Sequence, residues 1–243
     1  MLKRSFDFLV ALVGLLVSSV IIVPVAIAVW FQDFKSPFYM GPRVARGGGI
    51  FRMAKLRSMV VKADKTGVDS TGANDPRITP IGKFIRAYKL DELTQLWNVL
   101  KGDMSLVGPR PNVERETRMY TGEEQRLLSV RPGITDYASI VFADEGEILR
   151  DKADPDIAYN QLIRPYKSQL GIFYVEHRNL LLDFKLIFLT ALAMASRQSA
   201  LRAVVNDLRK RGAPEALVAI AARSAPLQPA PPPGATSIVT ERY

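Results

Sequence analysis

Between Asp7 and Asp33 the chain carries no charged side chain, and this stretch is rich in Val, Leu, Ile and Ala. About 20 such residues suffice to cross a bilayer, so one element of the fold must answer to lipid. The run is too long for a cleaved signal peptide and lacks the small-x-small site of one. Hydropathy alone gives a spanning helix, but two features argue for re-entry. Pro24 interrupts the run, and an interior proline removes a backbone hydrogen bond and bends a helix. Lys3 and Arg4 precede the segment, while Lys35, Arg43, Arg46, Arg52, Lys55 and Arg57 follow it. Cationic flanks favour the cytoplasmic side, and a spanning helix would export one of the two. A re-entrant helix bent at Pro24 keeps both flanks on one face, with arms of about 24 Å and about 12 Å at the α-helical rise.

The remaining length suffices for one domain with a real core plus appended segments. Lys and Arg number 33 against 24 Asp and Glu, a formal charge of +9 that suits anionic partners. No nucleic-acid module accompanies this charge and the basic residues are scattered. Nucleic acid is therefore set aside in favour of membrane lipids and phosphorylated substrates. The absence of Cys removes disulfides, thiolate metal sites and Cys nucleophiles, which suits the cytosolic side of a membrane. The one histidine, His177, sits among aromatic and apolar residues and reads as structural; Ser-His-Asp chemistry has no second element here.

Past the apolar segment, Gly47-Gly48-Gly49 leads into IFRMAKLRSM as a loop entering a strand or interfacial segment. It is no Walker loop, since no Gly-Lys-Ser/Thr follows. Residues 60–76 read as a mobile polar loop. Helical spacing of Ile81, Phe84, Ile85 and Tyr88, then Leu93, Leu96 and Trp97, gives two short helices, with Asp91 near the cap of the second. Residues 112–128 are helical in character, Pro132-Gly133 makes a turn, and residues 145–170 read as a surface helical region. Residues 180–196 are apolar but short for a span, hence interfacial or packed on the core. From Pro226 the chain is proline-rich and expected to be disordered. The fold class is mostly α with little β: a compact globular domain, a re-entrant membrane helix and interfacial amphipathic helices.

Chemistry concentrates between Lys89 and Pro111, KLDELTQLWNVLKGDMSLVGPRP. Asp91 and Glu92 precede an apolar run, and a Gly/Pro/Arg loop follows. A carboxylate nucleophile or metal ligand, then a guanidinium for phosphate oxygens, suits phosphoryl chemistry. Adjacent helical residues diverge by about 100°, so the two acids take separate tasks. Their bland reading is helix capping. Arg110, between Pro109 and Pro111, has a restricted backbone useful for aiming at phosphate. Arg86 lies five residues before Asp91. Lys55 and Arg57 can meet nucleotide phosphate or lipid headgroups, and surface charge is the bland reading of both arginines and lysine.

The same stretch closely resembles the signature of bacterial sugar transferases known as small monotopic phosphoglycosyl transferases. The resemblance runs from Met1 to about Arg197 and includes Lys55-Leu56-Arg57-Ser58-Met59, with Leu for the usual aromatic, and SVRPGITDYASI. Departures are Val23 for a serine before the proline, Met40-Gly41-Pro42 where a glutamine is frequent, and Thr94 for a proline. The resemblance implies three segments: 1–34 as the re-entrant helix, 35–197 as the catalytic domain, and 198–243 as a C-terminal extension. It implies that Asp91 attacks the β-phosphorus of a UDP-sugar, expelling UMP and forming an aspartyl phospho-sugar that undecaprenyl phosphate then takes. Glu92 would help to hold Mg²⁺, and Arg86, Arg110, Lys55, Arg57, Pro109 and Pro111 would surround the substrate. Implied too is a location on the cytoplasmic face of the bacterial inner membrane. A second copy of the chain is a partner on which the sequence is silent. Two rivals stand beside this expectation: a hydrolase of nucleotide sugars, and a non-enzymatic membrane adaptor of a polysaccharide complex.

Overall fold

The computed structural model describes residues 2–241; the expected segment ends Met1 and Tyr243, with Arg242, lie outside the described residues. Helix α1 (Leu2–Phe31) holds the apolar run. It does not end at Pro24, and the two expected arms form one helical element. The turns around the proline are braced from outside, because Ile22, Ala26 and Val29 are buried against Leu56, Ile85 and Leu90.

Strands β1 (Phe38–Val44) and β2 (Ile50–Leu56) form an antiparallel hairpin. Gly47 and Gly48 turn it with positive φ, which only glycine adopts freely. Three helices follow: α2 (Pro80–Ala87), α3 (Leu90–Leu93) and α4 (Leu96–Lys101). The two helices expected here are thus three, since Lys89 at φ 56° breaks the chain before α3. Strand β3 (Ser105–Val107), helix α5 (Glu114–Thr117), and β4 (Gly133–Thr135) come next, β4 running parallel to β3. Pro132-Gly133, expected as a turn, therefore enters a strand.

The remainder is helical: α6 (Tyr137–Val141), α7 (Glu145–Ile148), α8 (Pro155–Leu162), α9 (Arg164–His177), α10 (Leu180–Ala195), α11 (Arg197–Lys210) and α12 (Glu215–Ala222). Expected at the surface, α9 is instead the central core helix, burying Tyr166, Leu170, Phe173 and Tyr174. Its apolar residues occur on all sides, so no single stripe betrays its burial. Helix α10 buries Leu182, Leu186 and Leu189 and turns Leu181, Phe188 and Met194 outward. Leu201, Val204, Leu208, Leu217 and Val218 carry the same core into α11 and α12.

Two segments expected to be loose are tied down. The Arg77 guanidinium binds the carbonyls of Ala63, Val68 and Ser70 and the Asp75 carboxylate, gathering loop 60–76 around one cation. The proline-rich tail, without helix or strand, is an extended strap. Tyr166 donates to the Gln228 carbonyl, Ala230 donates to that of Gln161, and Thr121 to that of Pro233. Proline stiffness lowers the entropy cost of such docking.

Both ends of α1 are fastened to this body. Lys3 pairs with Asp183 and donates to the Val107 carbonyl, Arg4 donates to the Val99 and Leu100 carbonyls, and buried Asp7 accepts from Ser105 Oγ at 2.8 Å. At the far end Arg57 makes a bidentate pair with Asp33 and donates to the Ser36 carbonyl at 2.8 Å. Between these clamps Leu9, Val13, Leu16, Val17 and Val20 face outward, exposed.

Candidate active site

Asp91 and Glu92 occupy the first turn of α3, beside β2. Two buried side chains rivet these elements: Thr94 Oγ1 donates to the Ala54 carbonyl at 3.1 Å, and Asn98 Oδ1 accepts from the Ala54 amide at 2.8 Å. Thr94 also bonds the Asp91 carbonyl at 3.0 Å, a tie that a proline could not make. The result sets Lys55 Nζ, near the end of β2, 3.7 Å from Asp91 Oδ2. Asp91 is 8% exposed.

Glu92 faces a second cation. Arg110 Nη1 lies 3.2 Å from Glu92 Oε1 and donates to the Ile134 carbonyl at 2.8 Å. The loop carrying Arg110 is fixed by a backbone contact: a Cβ on Gly133 would fall 2.1 Å from the Gly108 nitrogen, so only glycine permits it. Gly133 then donates to the Pro109 carbonyl at 2.9 Å, while Pro111 is buried.

The electrostatics are those of an anion site. Burial raises the Glu92 pKa, but Arg110, then Lys89 and Lys55, outweigh it and hold this carboxyl below its ordinary value. Burial pushes the Lys55 ammonium below the usual lysine range, although Asp91 opposes it. Glu92 raises Arg110 further. Each cation is therefore short of compensating charge, and a diphosphate would supply it.

The expected residues do not all gather. Lys55, Asp91, Glu92, Pro109 and Arg110 do. Arg57 is committed to Asp33 and the end of α1, so it is an anchor rather than a substrate ligand. Arg86, in the last turn of α2, makes no hydrogen bond or ion pair among the described residues, and no contact joins it to the acidic pair. His177 stacks on Phe173 with ring centres 4.0 Å apart.

Other charged groups join that had not been singled out. Arg43 on β1, Glu116 on α5, Asp136 before α6, and the Glu145–Lys167 pair between α7 and α9 act electrostatically on Lys55, Arg110 or one another. Burial, then Asp69 and Glu145, push the Glu116 carboxyl up to about 7. Only Asp136 had a sequence cue, inside SVRPGITDYASI. The rest lie in stretches whose local pattern is that of an ordinary polar surface.

Among the described residues no group of three or more His, Asp or Glu side chains forms a ready metal cage. Mg²⁺ needs none: it is held by one or two carboxylates, its own waters and substrate phosphates. Two adjacent hard-oxygen donors facing an anion site fit that requirement.

A family model described as bacterial sugar transferase matches residues 1–197. The chain belongs to that family of enzymes. It is 41% identical over 152 residues to a UDP-galactose-lipid carrier transferase of Erwinia amylovora, covering 55% of this chain and 31% of the relative. Identity is 40% over 152 residues to an undecaprenyl-phosphate galactose phosphotransferase of Salmonella typhimurium, again 55% and 31% of the two chains. With the exopolysaccharide production protein ExoY of Sinorhizobium fredii it is 32% over 203 residues, 77% of this chain and 83% of that one. The chain thus spans about a third of the length of the first two relatives.

Proposed function

We propose that this protein transfers a sugar phosphate from a UDP-sugar to undecaprenyl phosphate, the first step in building a polysaccharide or glycoconjugate. The observation that carries the reading is a buried aspartate beside a lysine, next to a glutamate–arginine pair, on a helix packed against the apolar α1.

In the first half-reaction an Asp91 carboxylate oxygen attacks the β-phosphorus, and the bond to the bridging oxygen breaks. UMP departs with that electron pair, leaving the phospho-sugar on Asp91. A phosphate oxygen of the lipid then attacks the same phosphorus, and Asp91 leaves as a free carboxylate. Lys55 and Arg110 neutralise charge on the phosphoryl oxygens through both displacements, where preorganised cations are worth most. Glu92, with Asp91, would hold Mg²⁺, which when bound supplies further neutralisation of the diphosphate.

The two clamps on α1 support a monotopic placement. Both ends of this helix are bound to one body, so neither can lie across a bilayer from it. This favours a helix that enters and leaves one leaflet, with the body on the cytoplasmic face of the bacterial inner membrane. That arrangement brings the acidic pair to the depth of lipid phosphates and raises their effective concentration.

The test is UMP release by nanodisc-held protein with UDP-sugars, undecaprenyl phosphate and Mg²⁺. Lipid-dependent release that is lost in Asp91→Asn is expected; undiminished release from that variant refutes the nucleophile.

A further inference from the structure

Beyond Arg110 lies a cleft of about 420 Å³, open on one side, that no step above uses. Its walls are Pro109, Asn112 and Tyr120, the start of α6 at Asp136 and Ser139, Tyr159 on α8, and Lys167 on α9. None comes from α1 or from α2 to α4, so lipid arriving along α1 does not enter it.

Two buried polar groups face this space without a protein partner. Asp136, 1% exposed, spends Oδ1 on the Ser139 amide (2.7 Å) and hydroxyl (2.8 Å), while Oδ2 makes no hydrogen bond among the described residues. Tyr159 is 7% exposed, and its hydroxyl likewise makes none. Lys167 Nζ lies 5.4 Å from the centre of the Tyr159 ring and completes a polar wall. Asn112 gives its Nδ2 to Tyr120 at 3.0 Å, leaving its amide oxygen. A buried hydroxyl or carboxylate oxygen without a partner is costly, so a ligand's donors are its natural complement.

We propose that this cleft is a sugar-ring subsite, where Tyr159, Asp136 and Asn112 meet hydroxyls of the hexose being transferred. The inference rests on the transferase reading. In that reaction UMP leaves first while the sugar stays bound to Asp91. The retained group belongs in the enclosed space, and the departing nucleoside in an open one. A ring bound through hydroxyls to buried partners is also the arrangement that discriminates between epimers, because a misplaced hydroxyl leaves those partners unpaired.

Tyr159→Phe removes one oxygen and keeps the ring; Asp136→Asn keeps the helix cap. For wild type and both variants, kcat/KM is measured over a panel of UDP-hexoses and their epimers, with UDP inhibition and melting temperature alongside. Preference between the best donor and its epimer should change by about tenfold, from the loss of a hydrogen bond, at unchanged UDP affinity and unchanged melting temperature. Parallel weakening of UDP and every donor would show that the cleft takes the nucleoside, overturning the proposal. Unchanged preference in folded variants overturns it equally, with the transferase reading left standing. Failure of wild-type protein to release UMP from any donor sinks both.

Discussion

Arg110 is the residue on which the acidic pair's charge depends. It is the main group offsetting the effect of burial on Glu92, so the Glu92 carboxyl stays ionised below the pH at which an ordinary glutamate protonates. In Arg110→Ala burial acts with less opposition and this pKa rises. The acid limb of the kcat/KM profile should move to higher pH, and the plateau should fall about a hundredfold, as on losing one preorganised donor. An acid limb that stays put would separate Glu92 from the reaction. Far from this chemistry, Glu124 and Arg164 form an ion pair at 0% and 2% side-chain exposure, supported by Ser168 and the Met119 carbonyl. Glu124→Ala strands a buried guanidinium and should cost about 3–5 kcal/mol, read as a lowered melting temperature. Neither member of this pair stands out in the sequence. The acidic pair and Arg110 do, because 20 residues hold them together, whereas Lys167 and Glu145 reach the site only through the packing of α7 and α9.

Among the elements, α1 makes the sharpest claim. Its length, apolarity and flanking charges are plain in the sequence; its continuity through Pro24 is not, since that depends on packing by Leu56, Ile85 and Leu90 from elsewhere in the chain. Because the chain lacks Cys, single cysteines can be placed at Ser5 and Lys35, both exposed, one near each end of the helix. In sealed, oriented vesicles both should react with an impermeant maleimide from the side that bears the globular body. Labelling from opposite sides would mean that α1 spans. The parallel β3–β4 pair was hidden for a different reason. Each strand has three residues, too few for periodicity, and their pairing rests on the close backbone approach of Gly108 and Gly133.

At the scale of the whole molecule, the family resemblance ends near the start of α11, but the hydrophobic core does not. A chain ending at residue 197 would uncover core contacts made by Leu201, Val204, Leu208 and Val218. It should be recovered aggregated or protease-sensitive. A chain ending at residue 224 loses only the strap and should fold with a melting temperature lower by a few degrees, as expected for the loss of about 1 kcal/mol in a body of this size. Equal stability of the longer truncation and full-length protein would show that the strap contributes nothing. The clamp at the other end of the chain sets an order of events during synthesis. Lys3 waits for Asp183, 180 residues later. At about 5–20 residues per second that partner emerges roughly ten to forty seconds behind it. The first helix to leave the ribosome is thus the last to find its place on the protein, and in the interval the bilayer is its only shelter.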